Sequence, residues 1–410
     1  MERYSEYKDS GVQWLGEIPG HWGIMRSKYL LKIQANSTKR KCKIGLENIE
    51  GFTGKYLKTS STFEGDGIDF DKGDIVYGKL RPYLCKVWLA EFDGNAVGDF
   101  YVYKTSQSYF NAYAKYLMLS NPFTDICNAS TYGAKMPRVS HQFISSLNIP
   151  LPPLSEQHSI VSFLDDKCGK IDKMLEGKQK QIELLAEMKQ RIIADAVTRG
   201  LNPDVKMKAT NIPWLPEIPE HWELRKMKYL FRERSEKNHP AEPMLSATQT
   251  HGVILQSKYS GRVVVVNTGF EGLKLVKVGD FVIHLRSFQG GIELAHDQGI
   301  ISSAYTVLSL NDSTQSDYFR YLFKSIPFID LLKTCVTGIR EGQNINYAKL
   351  KQNRIPLPPL DEQRAIVSYI TDKTSKIDTL TSKLQQEIES IKEYKQRLIS
   401  DVVTGQIKVC

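Results

Sequence analysis

The sequence predicts an α+β protein: two mixed α/β domains joined by two long helices that pair as an antiparallel coiled coil, an internal repeat with pseudo-two-fold symmetry. Three observations carry this. A shift of 206 residues lays Ile149–Thr198 on Ile355–Thr404 without a gap, with 27 of 50 positions identical, where chance at roughly 6% per position would give about 3. A second block, Trp14-Leu15-Gly16-Glu17-Ile18-Pro19-Gly20-His21-Trp22, returns as Trp214-Leu215-Pro216-Glu217-Ile218-Pro219-Glu220-His221-Trp222. Both long repeats also carry a heptad stripe.

Each long repeat opens with the hexapeptide IPLPPL, at Ile149–Leu154 and Ile355–Leu360. Proline fixes φ, lacks an amide donor and disfavours helix in the residue before it, so the helix must start afterwards. Ser155 and Asp361 are the expected N-caps, and Glu156 and Glu362 put negative charge in the first turn. Steps of 4 and 3 then select Leu164, Cys168, Ile171, Leu175, Lys178, Ile182, Leu185, Lys189, Ile192 and Ala196. The second copy gives Ile370, Thr374, Ile377, Thr381, Leu384, Ile388, Ile391, Lys395, Leu398 and Val402. This is a coiled-coil seam whose polar members are expected to fix register. About 38 residues at ~1.5 Å each give a rod of roughly 57 Å. Two amphipathic helices lying on a globular core would share the stripe. Two copies of equal length, each about three times the average helix of roughly 11–12 residues, favour the coiled coil.

Between the repeated blocks lie two dissimilar regions, about Leu31–Asn148 and Phe231–Arg354, the second longer by six residues. They share a skeleton. Gly73-Asp74-Ile75-Val76-Tyr77 aligns with Gly279-Asp280-Phe281-Val282-Ile283, a turn entering an apolar strand, and each runs on to a Leu-Arg pair. Tyr116-Leu117 before Pro122-Phe123 parallels Tyr321-Leu322 before Pro327-Phe328, a helix, a proline stop and a short helix. Stretches such as Asn95–Tyr103 and Arg262–Val266 read as strands. The expected domains are therefore 1–150, a spacer helix at 151–200, 201–356, and a second spacer helix at 357–410. The linker Gly200–Asn211 leads into the second domain, and the last helix returns the chain so that Cys410 lies near the N-terminus.

With 41% hydrophobic residues in 410, no apolar run of ~18 and no apolar leader in MERYSEYKDSG, the chain reads as a soluble cytoplasmic protein. Six cysteines without a CxxC pair read as free thiols, with no metal site. A net charge of +9 favours a polyanionic partner.

Catalytic signatures fail. Gly51-Phe52-Thr53-Gly54-Lys55 is too short for a P-loop, there is no HExxH, and Asn121-Pro122-Phe123 lacks the second proline of the amino-methyltransferase motif. The acidic run Glu64–Asp74 lacks EF-hand spacing and reads as a solvated loop. His21 and His221, each between prolines and tryptophans, read as parts of a packed wedge. The chain therefore reads as a binder. Its candidate nucleic-acid contacts in the first region are Lys39, Arg40, Lys41 and Lys43, then Lys79 with Arg81, and Tyr132, Lys135 and Arg138 beside glycine. The second region offers Arg232 and Arg234, then His284, Arg286, Ser287 and Gln289, and Arg340, Gln343 and Asn344. Lys and Arg neutralise phosphates, while Arg, Gln and Asn can make paired hydrogen bonds to base edges.

These residues resemble the specificity subunit of Type I restriction-modification systems, and the likeness covers essentially the whole chain. Its most specific marks are the doubled IPLPPLSEQ/IPLPPLDEQ, the doubled WL-x-EIP-x-HW and the variable–helix–variable–helix order. The resemblance implies two target-recognition domains, each reading half of a split, asymmetric double-stranded DNA site, with the helices as a ruler for the spacer. It implies no catalysis and no cofactor on this chain. Modification subunits, two being the expectation, would bring S-adenosylmethionine and methylate adenine. Restriction subunits would bring ATP and Mg. A stand-alone bipartite DNA-binding regulator and a coiled-coil protein adaptor are the rival readings. The basic clusters weigh against the second.

Overall fold

A computed structural model describes residues 2–37, 40–133, 135–261, 269–285, 287–311, 316–337 and 344–409. The chain divides into two compact units, Met1–Gln179 with Leu384–Cys410, and Lys180–Lys383.

The first unit contains β1 (Gly23–Arg26), β2 (Leu31–Gln34), β3 (Ile75–Gly78), β4 (Val87–Leu89), β5 (Phe100–Thr105) and β6 (Asn148–Leu151), with helices α1 (Asn111–Leu119) and α2 (Asn121–Ala129). The antiparallel sheet runs β2-β5-β3-β4. Strand β3 is apolar throughout and buried along its whole length, as expected of a central strand covered on both faces. Gly73 (φ 92) and Asp74 launch it: the Asp74 carboxylate accepts the Asp71 amide at 2.9 Å, which is the turn foreseen from Gly-Asp. Strands β1 and β6 pair antiparallel, bringing the entry and exit of the variable region together. Pro122 starts α2 rather than merely stopping α1, since a first-turn proline has no amide to waste.

The second unit repeats this plan. It holds β7 (Glu223–Lys226), β8 (Phe231–Arg234), β9 (Phe281–Ile283), β10 (Glu293–Leu294), β11 (Thr306–Leu310) and β12 (Arg354–Leu357). Its sheet runs β8-β11-β9-β10, the same order as in the first unit, and β7 pairs with β12 as β1 does with β6. Helices Ser316–Lys324 and Ile326–Thr334 follow as α4 and α5. The six extra residues fall between β8 and β9, where the offset between halves changes from 200 to 206, so the insertion leaves the sheet intact. The Arg262–Val266 stretch lies outside the described residues.

The long helices are α3 (Leu154–Arg199) and α6 (Leu360–Val403), of 46 and 44 residues, longer than the 38 expected from the stripe. Both begin at the last residue of IPLPPL, so Ser155 and Asp361 sit inside the first turn and are not N-caps. Instead Pro153 O accepts the amides of Glu156 (2.9 Å) and Gln157 (3.0 Å), and the buried Gln157 side chain donates back to Pro152 O at 2.9 Å. Gln363 repeats this on Pro358 O at 2.9 Å.

In each unit the two helices run antiparallel. In the first, Ile160, Leu164 and Cys168 of α3 share a core with Leu398, Ile399 and Val402 of α6. In the second, Ile193, Ala196 and Val197 share one with Ile366 and Ile370. Leu164, Ile370, Ile377, Leu384, Ile388 and Leu398 are buried, while Ile171, Leu175, Ile182, Leu185, Ile192 and Ile391 are half-buried, as expected where only two strands cover a seam. The polar members pair across it: Lys178 with Glu387 (2.5 Å) and Lys395 with Asp172 (2.5 Å) in the first unit, Lys189 with Asp378 (2.6 Å) in the second.

The lobes seat the helices through matching contacts. Tyr113 of α1 donates to Val403 O at 2.8 Å, and Tyr318 of α4 donates to Val197 O at 2.9 Å. Each lobe thus holds the start of the helix that follows it and the end of the other. Gly405 and Gly200, both at positive φ (82 and 78), terminate the two helices where an added Cβ would meet Trp22 at 3.1 Å or Trp222 at 3.2 Å. The loop read as too short for a P-loop has a structural place: Phe52 O accepts from Gln396 at 2.9 Å, and Lys55 pairs with Asp172 at 3.0 Å. The C-terminal segment reaches the N-terminus as expected, Lys408 donating its amide to Glu2 O at 2.9 Å.

Candidate nucleic-acid interface

His21 and His221 mark where the two repeated blocks of each unit meet. His21 Nε2 lies 2.8 Å from Glu156, which also accepts from Tyr4, and His221 Nε2 lies 2.8 Å from Glu362, which accepts from Trp222 Nε1 at 2.9 Å. Burial opposes the Glu156 carboxylate, but the bonds from Tyr4 and His21 outweigh it and hold its pKa below the usual value. A depressed carboxylate stabilises the fold above its unfolded pKa, about 4.3, and the contribution fades as pH falls through the folded value. Glu156→Gln is therefore expected to cost about 1.5–3 kcal/mol at neutral pH. Its penalty should shrink in denaturation measured below pH ~4, and an equal penalty at both pH values would exclude the charge as the cause.

A cationic surface of the first unit forms where β3 ends. Lys79 and Arg81 lie in adjoining backbone with the 132–138 loop: Leu80 bridges to Arg138, Arg81 donates its amide to Pro137 O (2.7 Å), and Tyr132 bridges to Arg138. So the structure brings Lys79, Arg81, Tyr132 and Arg138 together, with Lys135 exposed on the same loop. Asp99 organises them. Its carboxylate takes both guanidinium arms of Arg138 (3.0 and 2.9 Å) and approaches Lys79 at 3.9 Å, and the Lys79 ammonium sits 5.2 Å from the Tyr101 ring. Arg81 is exposed, in left-handed backbone (φ 51), and forms no ion pair among the described residues. Tyr132, at 61% exposure, and Tyr83 add open aromatic faces. Cations beside exposed rings suit a nucleic acid, which offers phosphates and stacking bases. Asp99 and Tyr101 carried no signal in the sequence, because what makes them part of the surface is a turn of the sheet.

The other candidates are scattered. Arg40 is tied to Asp71 (2.7 Å) and to Phe70 O, Lys43 donates to Gly65 O (2.7 Å), and Lys41 is exposed. Asp71 is held below the ordinary carboxylate range by its bonds from Lys104 and Arg40. The acidic run around it is only partly solvated: Asp69 and Asp74 are buried, Asp69 accepting from Asn95 at 2.8 Å, which corrects the solvated-loop expectation. In the second unit Arg232 is exposed and Arg234 is clamped by the buried Asp280 (2.8 Å). His284 is nearly enclosed beside Glu293 at 3.7 Å, and the buried Ser287 Oγ accepts the His284 amide at 2.9 Å. Gln289 is exposed on the one-turn helix Ser287–Gly290, and exposed Asn344 pairs with Thr337. Lys39, Arg286, Arg340 and Gln343 lie outside the described residues. Among the described residues no cluster of metal-ligating side chains occurs, and no helix is long and apolar enough to cross a membrane.

The model of the Type I restriction modification DNA specificity domain matches residues 22–184 and 218–390, one match over each repeat. Two DNA specificity domains in tandem define a sequence-recognition protein. The chain belongs to the Type I restriction enzyme specificity subunit family. It is 26% identical over 459 residues to the MjaVIII specificity subunit of Methanocaldococcus jannaschii, an alignment covering 100% of this chain and 98% of that protein. It is 29% identical over 211 residues to the EcoDI specificity subunit of Escherichia coli, there spanning 47% of this chain and 46% of that protein. Among solved structures, a chain from a study of complex assembly and conformational transition of the type I R-M system shares the fold at a TM-score of 0.70, with 18% identity over 95% of this chain and 99% of that one. The HsdS subunit of Thermoanaerobacter tengcongensis gives 0.52, with 18% identity over 95% and 98%.

Proposed function

We propose that this chain reads a bipartite, asymmetric duplex DNA site, one half per variable region, and directs adenine methylation and restriction carried out by partner subunits. The observation that carries it is the pair of lobes with one strand order and unlike surfaces. Where the first presents Lys79, Arg81, Tyr132 and Lys135, the described residues of the second present Gln289 on the one-turn helix Ser287–Gly290 and Asn344 beside Thr337. One scaffold holding different donors twice reads two different short sequences. The long helices common to both units then set the spacer. Methylation requires modification subunits with S-adenosylmethionine, and restriction requires subunits with ATP and Mg; the relatives are named as specificity subunits of the Type I restriction enzymes EcoDI and MjaVIII. Sequencing methylated adenines in a host carrying this chain with its modification partner tests the reading. The expected result is two unlike half-sites at a constant gap. A continuous site, or two identical inverted halves, sinks it.

A further inference from the structure

Strands β7 and β12 frame the variable region of the second unit, and their register sets Lys226 directly opposite Arg354. Like charges facing across a strand pair destabilise it, and neither side chain forms an ion pair among the described residues. The nearby Arg225 does have one, with Glu223 at 2.9 Å. The two unpaired cations line a hollow of about 550 Å³ together with Leu224, Arg225 and Tyr229. Tyr229 is 63% exposed, and the Lys228 ammonium sits 5.0 Å from its ring centroid. In the first unit the same register places Arg26 opposite the neutral Asn148. The repulsive pair is therefore not required by the fold.

We propose that Lys226, Arg354 and Tyr229 form a phosphate-gripping patch on the second unit, outside its variable loops, which holds the backbone of duplex DNA; this rests on the reading of the chain as a DNA-recognition subunit. The concave, uncompensated positive surface calls for an anion that enters from outside. A phosphodiester supplies one, accepting from the forked guanidinium, the ammonium and the phenol at once. Such a contact adds affinity and orientation, and leaves the choice of sequence to the loops.

The test uses the full chain assembled with its modification subunits and a ~30-bp duplex of arbitrary sequence, because a backbone contact needs no target. Each of Lys226→Gln and Arg354→Gln is expected to reduce the slope of log affinity against log salt by about 0.9, and the pair by about 1.8. The half-sites found by methylation mapping should not change. Arg354→Glu turns the repulsive pair into an attractive one, so its melting temperature should match or exceed the wild type while the slope falls. Variants that melt like the wild type and keep its salt slope overturn the patch. So does a wild-type slope accompanied by loss of a co-purifying modification subunit, which would make the patch an acidic-protein dock. If the wild-type complex has no salt-dependent affinity for any duplex, the DNA-recognition reading fails instead.

Discussion

Asp172→Asn is expected to lower the melting temperature of the first unit by roughly 6–12 °C. Lys395, only 8% exposed, makes its ion pair with Asp172 at 2.5 Å, and Lys55 reaches the same carboxylate at 3.0 Å. Removing one member of a buried pair strands the other charge and costs about 3–5 kcal/mol. With Asp172 a fifth exposed the lower figure applies, and at about 2–4 °C per kcal/mol for 150–250 residues the shift follows. Burial pushes the Asp172 pKa up, but the bonds from Lys395 and Lys55 prevail and leave it below the usual carboxylate value. The pair's contribution is thus complete above the unfolded pKa of about 3.9 and disappears as pH falls through the folded one. Replacing both partners together, as Asp172→Leu with Lys395→Met, is expected to be close to neutral. A melt in which Asp172→Asn behaves like the wild type at pH 7 would show that the ion pair does not fasten the seam.

Arg81→Ala is expected to reduce methylation of the cognate site by roughly 5- to 150-fold, the range that 1–3 kcal/mol of base discrimination allows. It should relax the first half-site while the second stays as stringent as before. Arg81 is the guanidinium of the β3 surface that has no carboxylate partner among the described residues, whereas Arg138 beside it is gripped by Asp99 on two bonds. Removing Arg138 should accordingly disturb the loop before it disturbs recognition. Methylation rates on duplexes altered in one half at a time separate the two effects. Equal loss of stringency in both halves would remove Arg81 from base reading.

Repetition made the architecture legible. Proline segments, heptads and the Gly-Asp turn each act over a few neighbouring residues, so the long helices, their antiparallel pairing and the twin sheets could be read from spacing alone. The helix starts were misplaced because Ser155 and Asp361 are good local caps, while the proline carbonyls that displaced them work through Gln157 and Gln363 reaching backwards. The binding surface was less legible. A basic residue looks the same in sequence whether it is open, as Arg81 is, or committed to a carboxylate thirty or more residues away. Arg40 with Asp71, Arg138 with Asp99 and Arg234 with Asp280 are of the second kind. Lys226 and Arg354 escaped notice for the converse reason, since 128 residues separate them and only strand register makes them neighbours.

The charged rungs of the helix pair also bear on how the chain finds its fold. A slip of one heptad would leave the greasy stripe nearly as well matched, because leucine and isoleucine are interchangeable at that resolution. It would, however, set Lys178 against Tyr394 or Leu380 in place of Glu387, and Lys189 against Gln385 or Thr371 in place of Asp378. Each misfit leaves an ammonium pressed on a half-covered surface with no counter-ion. The lysines thus act as a proofreading key: they add little to the strength of the correct alignment, and they make the neighbouring wrong ones short-lived.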